Sequence, residues 1–589
     1  MTTKTPKARP RRPEGPRYTR RPKPKPTQGE RPPSGGKNVL HVIPIGGNEE
    51  TGARNCTVLQ YGAEYLIIDI GLQWPEDDMP GVDYIIPDLN FLHGKEKQIR
   101  GVIITHGHMD HTGGVPHWVP QLGNPPVYSS NLTCAMLAKK MEDVAPNKKL
   151  RLHPVKSRDR VKLGVFRAEF IGLSHNIPVS LAVVIETPAG KIVHTGDFKL
   201  DDRAHITNRT DLEALRRLGG QNVLALMCDS TNSSAPGKQL SESEIEKNID
   251  LMFTQSKGRI IVATFSSLLS RIQQVLTLAE KYHRQVYLMG YSMKTNVEIG
   301  RQLGYIRTRQ STVLPWEEVR RQPANRVLIL CTGAQGEDNA ALMRIANRED
   351  KNIRIERGDL VVFSSSVVPG NERAVARLKD GLLREGASII DSKMLDIHAG
   401  GHAKQEDIAA MIRMVRPRYF IPIEGNYANL LENKKVAINT GIPESRVLLA
   451  DNGQHIEFHN GQGYVTNKRL PIEYVFVDGL GIGDVNALVL RDRKQLSGDG
   501  MIVVVAQIHG RTGKTRKVDI ISKGLTHMNE QGRFIGEMIG VVKKALVDKE
   551  PRMKVQDKDL RDKVRRQLEK FVFHKTHRQP MILPVIVEV

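Results

Sequence analysis

From Lys37 onward, short apolar runs alternate with turns rich in glycine, aspartate and asparagine. Apolar runs of about four to eight residues between such turns predict β-strands, and the turn Pro188-Ala189-Gly190 predicts a hairpin. The first part of the chain is therefore predicted to consist mainly of β-sheet. Its strands are predicted in NVLHVIPIGG, CTVLQYGAEYLIIDIG, IRGVIITHG, PPVYSS, FRAEFIGLS, SLAVVIETPAGKIVHTGDF and VLALMCDST.

A second pattern begins near Gly258, where each apolar run is followed by a stretch compatible with a helix. The strands GRIIVATFSS, QVYLMG, NRVLILCTG and DLVVFSSS within residues 258–390 predict an α/β unit with a mostly parallel sheet. Helical spacing and basic ends predict helices in SLLSRIQQVLTLAEKYHR and EDIAAMIRMVRPR. A linker around FHNGQGYVTNKRLP precedes a final basic segment, which is also predicted to be α/β.

The length of the chain indicates how many domains to expect, and its charge indicates the class of partner. A chain of 589 residues predicts three or more domains, and a net charge of +22 favours a polyanionic partner. Residues 1–38 carry twelve basic and two acidic residues among many prolines and glycines. With so few apolar residues this tail is predicted to be disordered, either as a solubilising extension or as an arm that follows phosphates.

The cysteines and the apolar runs indicate the cellular compartment. Cys56, Cys134, Cys228 and Cys331 are widely spaced and form no CxxC pair, which predicts reduced, buried thiols. No apolar run approaches the roughly eighteen residues that a membrane-spanning helix needs. The basic, proline-rich N-terminus also differs from a signal peptide. The sequence therefore predicts a cytoplasmic protein without a membrane-spanning segment.

The candidate chemistry is concentrated in VIITHGHMDHTGG, where an apolar strand runs into a loop with the pattern HxHxDH. On an extended loop, His106 and His108 can converge on one metal, while Asp110 and His111 face a second. Imidazole and carboxylate ligands suit Zn²⁺ or Mn²⁺, and a catalytic site leaves one position for water. The alternative is a chance cluster of surface histidines.

Two later strand ends extend this pattern, namely His175 in GLSHNIPVS and Asp197 in IVHTGDFKLD. The order of HxHxDH, a histidine and then GD resembles the metallo-β-lactamase superfamily. The resemblance implies two divalent metals, with Zn²⁺ favoured over Mn²⁺ or Mg²⁺ and with Asp197 bridging them. The implied ligands are His106, His108 and His175 for one metal, and Asp110 and His111 for the other. Such a pair can hydrolyse phosphodiesters or other ester-like bonds.

Motifs further along the chain narrow the family. CDSTNSSAPG, ATFSSLLSR, TGAQGE, FSSSVVPGNE and IHAGGHAKQED resemble the β-CASP nucleases. VDGLGIGDVNALVLRDRKQLSGDGMIVVV and HKTHRQPMILPVIVEV resemble the ribonuclease J family in particular. The resemblance implies an α/β protein, with a metallo-β-lactamase αββα sandwich, an inserted β-CASP α/β domain and a C-terminal α/β domain. The implied divisions are the tail (1–38), the metallo-β-lactamase domain (39–215 and 391–460), the β-CASP domain (216–390), a linker (461–475) and the C-terminal domain (476–589).

This resemblance also implies an activity: a 5′-to-3′ exonuclease acting on single-stranded RNA with a 5′-monophosphate, with some endonuclease activity, in RNA processing and decay. It implies a homodimer or homotetramer, and partners in RNA decay or on ribosomes. Serine hydroxyls and glycine-rich backbone in the cleft can bind phosphate oxygens. The implied substrate-binding residues are Phe265, Ser266, Ser267, Ser364, Ser365, Ser366, His398, Ala399, Gly400, Gly401 and His402.

Three residues are predicted to take part in catalysis: Asp110, Asp197 and His398. By its resemblance to the family motif, His398 is expected to donate a proton or a hydrogen bond to the leaving oxygen. The family's last metal ligand is a histidine, but FIPIEGNY places Glu424 there and Asn426 at the following acidic position. A carboxylate can still bind the metal, so Glu424 is a predicted ligand. Its added charge should favour Mn²⁺ or Mg²⁺ at the second position.

Milder departures are Val179 in place of an aspartate, and Leu268 and Ser270 in place of asparagine and histidine. Together with Glu424 they leave open a catalytically weak RNA-binding subunit that assembles with an active paralogue. The retained HxHxDH motif and His175 argue against that function. A third function, hydrolysis of small esters or lactones, is disfavoured by the +22 net charge and by the inserted domain.

Overall fold

The computed structural model describes residues 38–589, apart from residues 51, 77, 202–209, 338, 369, 393, 396, 480, 484, 510, 511, 513, 526–530 and 548–557. The segment predicted as a disordered basic tail lies outside the described residues, except for Asn38. No helix in the described ranges is long and apolar enough to span a membrane. The four cysteines are buried and unpaired, as the sequence predicted.

Residues 40–229 form strands β1 to β12 and helices α1 to α4. The strands are β1 (Leu40–Gly46), β2 (Cys56–Tyr61), β3 (Glu64–Ile68), β4 (Tyr84–Ile86), β5 (Ile99–Ile103), β6 (Val127–Ser129), β7 (Leu152–Pro154), β8 (Arg160–Leu163), β9 (Phe166–Leu173), β10 (Ser180–Thr187), β11 (Gly190–His194) and β12 (Val223–Asp229). The helices are α1 (Met109–Thr112), α2 (Val115–Gln121), α3 (Asn131–Val144) and α4 (Leu212–Leu218). The predicted hairpin is present, because β10 and β11 pair antiparallel up to Thr187 opposite Gly190.

Residues 242–390 form an alternating series of helices and strands. The helices are α5 (Glu242–Gln255), α6 (Leu269–Lys281), α7 (Tyr291–Gln302), α8 (Trp316–Val319), α9 (Ala341–Ala346) and α10 (Glu372–Arg384). The strands are β13 (Ile260–Ala263), β14 (Gln285–Met289), β15 (Val327–Cys331), β16 (Leu360–Phe363) and β17 (Ser388–Ile390).

The remaining residues form helices α11 to α15 and strands β18 to β25. The helices are α11 (Gln405–Val415), α12 (Tyr427–Asn439), α13 (Ala487–Asp499), α14 (Gln531–Val547) and α15 (Lys558–Thr576). The strands are β18 (Tyr419–Ile423), β19 (Gln454–His459), β20 (Gln462–Arg469), β21 (Val475–Asp478), β22 (Gly481–Ile482), β23 (Met501–Ile508), β24 (Thr515–Lys523) and β25 (Met581–Glu588).

Two large sheets are stacked face to face. Within the described residues, one sheet has eight strands in the order β20-β19-β1-β2-β3-β5-β6-β7, and the other has six in the order β18-β12-β11-β10-β9-β8. Leu59, Phe166, Phe170 and Ile421 lie in the apolar layer between them. Helices α2 and α3 cover the outer face of the first sheet, and α4, α11 and α12 cover that of the second. This arrangement is the predicted αββα sandwich.

The inserted unit is a separate, fully parallel sheet. Its five described strands have the order β14-β15-β13-β16-β17, and their continuous apolar runs suit a sheet covered by helices on both faces. The unit leaves the sandwich after β12 and returns before β18, and these two strands pair with each other. The predicted start at residue 216 lies inside α4, and β12 still belongs to the sandwich. Its run VLALMCD has the same apolar pattern as an inserted strand, so composition alone does not assign it to a sheet.

The predicted linker, residues 461–475, contains a strand. Residues 462–469 form β20, which pairs with β19 as the edge strand of the eight-stranded sheet. The last segment is connected to the sandwich by the pairing of β21 with β4. Beyond it, α14 and α15 pack on one face of the sheet β24-β23-β25. The alternating burial along β23 fits a sheet with a single covered face.

A buried charge network joins the inserted unit to the sandwich. The Glu242 carboxylate accepts from Lys199 Nζ at 2.7 Å and from Arg271 Nη2 at 2.8 Å. Arg271, which is fully buried, also donates to Ser364 Oγ at 2.6 Å and to the carbonyl oxygen of Ile397. Burial raises the pKa of Glu242, but Arg271 and Lys199 outweigh burial, so the net shift is downward.

We predict that Arg271→Met lowers the free energy of unfolding by about 3–5 kcal/mol, because it leaves the buried Glu242 carboxylate with one cation instead of two. The pKa of Glu242 is lower in the folded state than in the unfolded state. The stability that its pairing with Arg271 contributes is therefore present above about pH 4.5 and is lost as the pH falls. Urea unfolding at pH 7 and at lower pH measures both effects. Arg158→Ala, which removes a pair on the surface with Asp211, is the matched control and should change stability little. Equal losses for both variants would contradict the prediction.

Candidate metal centre

Three histidines from separate loops point their nitrogens at one place. His106 follows β5, His108 directly precedes α1, and His175 follows β9. His108 Nδ1 lies 3.1 Å from His106 Nε2 and 3.1 Å from His175 Nε2. Zn–N bonds of about 2.0–2.1 Å in a tetrahedron place ligand atoms about 3.3 Å apart. The three nitrogens therefore have the spacing of ligands to one metal.

The opposite nitrogens of two of these rings are held by hydrogen bonds. His106 Nδ1 lies 3.1 Å from Thr105 Oγ1, and His175 Nδ1 lies 2.8 Å from the carbonyl oxygen of Gly401. A carbonyl only accepts, so Nδ1 of His175 carries the proton and its Nε2 presents a lone pair. Burial lowers the pKa of His106, of His108 and of His175. All three rings are therefore neutral at neutral pH, which is the form that binds a metal.

Asp197, three residues beyond β11, lies between two groups of ligands. Its Oδ2 is 3.6 Å from His106 Nε2 and 3.6 Å from His175 Nε2, whereas its Oδ1 is 3.3 Å from His111 Nε2. Asp110 Oδ2 lies 3.6 Å from the same nitrogen of His111. One carboxylate oxygen thus faces each group, which is the arrangement of a ligand shared by two cations.

Glu424 brings a further carboxylate to the second group. It follows β18 in a left-handed conformation (φ 59°), and only 5% of the residue is exposed. Its ligand atom lies within 4.8 Å of those of Asp69 and His111. Burial and the neighbouring Asp197 raise the pKa of Glu424 well above its usual range. Glu424 Oε2 has no hydrogen-bond partner among the described residues, so a cation fits there.

Asp69 supports the centre and was not predicted from the sequence. Its Oδ2 accepts from His111 Nδ1 at 2.8 Å and from Thr105 Oγ1 at 2.8 Å, and its Oδ1 accepts from the Thr105 N–H at 2.7 Å. This contact directs His111 Nε2 toward Asp197. Asn55 Nδ2, 2.8 Å from His111 Nε2, has to move when that nitrogen binds a metal. The one sequence signal for Asp69 was its position as the polar residue that ends the apolar run LIID. This run lies beside the strand that leads into the HxHxDH loop.

The structure brings His402, and not His398, to the metal ligands. His402 Nδ1 lies 2.9 Å from Oδ2 of Asp229, the last residue of β12, and 3.8 Å from Asp197 Oδ2. Its side chain is 24% exposed. Burial lowers the pKa of His402, but Asp229 and Asp197 outweigh burial and raise it to about 9. His398 is buried beside Arg271, and these two causes lower its pKa to about 3.

The serine-rich candidates lie together at one edge of the inserted sheet. Phe265 to Ser267 follow β13, and Ser364 to Ser366 follow β16, which is the parallel neighbour of β13. The chain goes from β13 to one side of the sheet and later crosses to β16 on the other, so this edge is a topological switch point. Ser364 Oγ is used internally, since it donates to Ile397 O and accepts from Arg271, whereas Ser366 is exposed.

The loop His398 to His402 holds His175, a candidate metal ligand, in place. Besides binding His175 through its carbonyl, Gly401 donates its N–H to the Asn176 side chain at 3.0 Å once that amide is oriented to satisfy both partners. A Cβ on Gly401 would lie 2.4 Å from Cε1 of His175. Ala399 is buried, and its carbonyl accepts from the same amide at 3.2 Å. The glycine is therefore required by close approach to a metal ligand.

The structure also shows where the other residues lie that depart from the family pattern. Asn426 caps α12, accepting from the Asn429 N–H at 3.0 Å. Val179 has a left-handed backbone (φ 63°), which is unusual for a β-branched residue. Leu268 and Ser270 are buried at the start of α6, and Ser270 Oγ has no partner in the part of the chain that the structure describes.

Comparisons with known proteins identify the family of the chain. Residues 50–223 match the metallo-beta-lactamase superfamily, residues 257–382 match "Ribonuclease J, beta-CASP domain", and residues 488–589 match "Ribonuclease J C-terminal domain". Ribonuclease J2 of Bacillus subtilis (strain 168) is 33% identical over 553 residues, which cover 93% of this chain and 99% of that protein. The chain belongs to the ribonuclease J family.

Other relatives show the same extent of similarity. Ribonuclease J of Thermus thermophilus is 34% identical over 565 residues, 94% of this chain and 96% of that protein. A crystal structure of a protein of unknown function from Enterococcus faecalis V583 covers 73% of this chain and 100% of that chain, with a TM-score of 0.50 and 14% identity, a likeness of fold alone. Membership of the ribonuclease J family makes this protein a metal-dependent ribonuclease with a metallo-β-lactamase hydrolase domain.

We predict that Gly401→Ala weakens metal binding, because its Cβ would displace the His175 ring. Disturbing such a supporting contact typically costs about 10–100-fold in metal affinity. Competition with a zinc-sensitive dye measures the affinity. Gly498→Ala, in helix α13 with no atom within 4 Å of the added Cβ, is the matched control and should bind as the wild type does. Unchanged affinity in Gly401→Ala would show that the contact does not position His175.

Proposed function

We propose that this ribonuclease removes nucleotides from the 5′ end of single-stranded RNA that carries a 5′-monophosphate, and also cuts RNA internally. The proposal rests on one observation: a single loop connects two features of the protein. One is the candidate metal centre at the edge of the sandwich, and the other is an edge of the inserted sheet that is suited to binding anions. Residues 397–402 connect the two, through Arg271 and Ser364 at one end and His175 at the other.

The metal ligands in this proposal are those predicted from the sequence. His106, His108, His175 and Asp197, a set that favours Zn²⁺, would hold one cation, and Asp110, His111 and Asp197 would hold the other. Glu424, which lies beside His111, would be a further ligand of the second cation. Two such cations, when bound, lower the pKa of a shared water and stabilise charge on the entering and leaving oxygens. Glu424 makes the second set richer in oxygen, which favours Mn²⁺ or Mg²⁺ there.

His402 replaces His398 as the proposed proton donor to the leaving oxygen. Asp229 fixes its Nδ1, so its Nε2 is directed away from that carboxylate, and the ring is partly exposed beside Asp197. His398, the first residue of this loop, is buried next to Arg271. His398 is therefore assigned to the interior that supports the loop. Asp110 and Asp197 act through the metals that they hold.

The 5′-monophosphate is proposed to bind at the carboxyl ends of β13 and β16. Helix α6 begins there at Leu269 without a side-chain cap. The Leu269 N–H donates to the Ser267 carbonyl at 2.8 Å, so the N–H groups that follow it in the first turn are the proposed anion donors. Ser266, Ser267 and Ser366 add hydroxyls at this edge, and the backbone N–H groups of Phe265 and, in the loop 398–402, of Gly400 are proposed as further donors. A phosphate held at a fixed distance from the metals would make cleavage start from the 5′ end. Family membership supports the remaining parts of the proposal: a homodimer or homotetramer, partners in RNA decay or on ribosomes, and a cytoplasmic location.

A time course on internally labelled single-stranded RNA tests this function. With Zn²⁺ or Mn²⁺ supplied, we expect mononucleotides to accumulate from 5′-monophosphate RNA and much more slowly from the same RNA with a 5′-hydroxyl. The double variant Asp110→Ala, His111→Ala is the control, and it should release nothing. Cleavage at equal rates from both RNAs would contradict the 5′-monophosphate pocket.

The same assay separates the two histidines of the loop. We expect His402→Ala to lower kcat by about 10²–10⁴-fold, the usual contribution of a general acid. His398→Gln should lose far less activity per folded molecule, with the folded fraction determined by circular dichroism. A larger loss of kcat in His398→Gln than in His402→Ala would restore His398 as the acid.

The second candidate function is an RNA-binding subunit with little activity of its own, and Glu424 favours it. Glu424→His distinguishes the two functions. For an active enzyme, we expect this variant to shift metal preference from Mn²⁺ toward Zn²⁺ and to lower the apparent pKa of the rate, because one negative charge is removed from the metals. The kcat–pH profile measured with each metal is the readout. RNA that stays bound and intact with every metal, but is cut by Glu424→His, would favour the weak subunit.

A further inference from the structure

A second cluster of metal-ligating side chains lies on the eight-stranded sheet, in strands that contribute nothing to the centre above. His41 on β1 is the direct cross-strand partner of Glu457 on β19, and His455 lies two residues before Glu457. Leu40 and Ile456, their neighbours in sequence, point into the layer between the two sheets. Since side chains alternate along a strand, His41, His455 and Glu457 project together from the opposite face.

The donor atoms of this triad have metal-ligand spacing. His41 Nδ1 lies 3.3 Å from His455 Nδ1 and 3.2 Å from Glu457 Oε1, and all three donor atoms lie within 4.8 Å of one another. Ligands to tetrahedral Zn²⁺ are about 3.3 Å apart. Hydrogen bonding between the neighbouring strands fixes the three positions before any ion arrives. Little reorganisation is therefore needed to bind one.

Hydrogen bonding alone leaves this cluster poorly satisfied. Two Nδ1 atoms face each other, and only one proton fits between them, whereas a cation would use both lone pairs and the carboxylate. His455 is 2% exposed, and its Nε2 has no partner among the residues described, so the Nδ1 side carries its polar contact. Burial and Lys468 lower the pKa of both histidines to about 4. Both rings are thus neutral and free of competing protons at neutral pH.

One side of the triad is open, and one group opposes a cation. The side chains of His41 and Glu457 are 15% and 17% exposed, which leaves room for water as a fourth ligand. Lys468 on β20 is exposed, and its positive charge acts on both histidines. Tyr464 lies on β20 like Lys468, opposite Glu457 on β19, and it also borders the cluster. The ammonium of Lys468 should weaken cation binding without occupying a ligand position.

We propose that His41, His455 and Glu457 form a third metal site, which takes Zn²⁺ or a similar divalent cation that prefers imidazole and joins β1 to β19. These strands lie on either side of the inserted domain in the chain. A metal bound only in the folded sandwich stabilises it in proportion to its affinity and concentration. The site is separate from the catalytic ligands, so ribonuclease activity does not depend on it.

Metal counting on the full chain tests the site. The protein is loaded with ZnCl₂, desalted and analysed by inductively coupled plasma mass spectrometry. We expect three zinc ions per chain for the wild type and two for His455→Gln, with equal ribonuclease activity. Glu457→Gln, which keeps the shape of the side chain, guards against a folding defect in the histidine variant and should also bind two. Equal zinc content in the wild type and both variants would overturn the proposal.

Two further measurements distinguish a metal site from a structural histidine pair. Lys468→Ala removes the opposing charge and should tighten the third zinc by several-fold, whereas a mere structural pair would give no such effect. Titration of the metal-free Asp110→Ala, His111→Ala variant with Co²⁺ should produce more visible d–d absorption than the same titration of that variant with His455→Gln added, because one cobalt site is lost. Identical spectra with and without His455 would overturn the proposal, even if the catalytic centre proved inactive.

Discussion

The candidate metal centre lies at one edge of the sandwich, which we call the active edge. This edge depends on how five acidic side chains are kept together in the protein interior. Asp69, Asp110, Asp197, Asp229 and Glu424 converge on five histidines, and all but Asp110 are almost fully buried. His111 and His402 counter the burial of Asp197 and lower its pKa, whereas burial and Asp197 raise the pKa of Glu424. Without cations the two carboxylates therefore compete for ionisation. Two divalent metals would permit both to be charged, so metal binding and the integrity of this edge are linked.

The sandwich provides this edge because its strands end there. Polar residues follow β3, β5, β9, β11, β12 and β18, so both sheets contribute ligands or their supporting groups. Each such residue lies at the end of an apolar strand or within three residues of that end, which gives it a rigid support. The inserted sheet reaches the same place through the loop His398 to His402. Arg271 holds one end of that loop, and Gly401 contacts a metal ligand at the other. The loop thus connects the serine-rich edge of the inserted sheet with His175.

Local patterns predicted much of this arrangement. The HxHxDH loop, His175 and Asp197 were recognisable because ligand-type residues stood at the ends of apolar runs, and the parallel inserted sheet followed from alternating strands and helices. Asp69 was missed, and Asp229 was noted only as part of the motif CDSTNSSAPG without a role, since a single aspartate after a strand carries no signal until the fold places it beside a histidine. His398 and His402 share one short motif, and only the burial of the first and the Asp229 contact of the second separate them. The same limit applied to β12 and β20, because strand pairing over hundreds of residues decides their sheets.

The account depends most on the shared position of Asp197 between two cations, with Glu424 at the second. A crystal structure of the zinc-loaded protein, with anomalous data collected on both sides of the zinc edge, tests this most directly. We predict two peaks at the active edge, one on each side of the Asp197 carboxylate, with Glu424 about 2.0–2.2 Å from the second. A single peak there, or a second peak without Glu424 at bonding distance, would contradict the account.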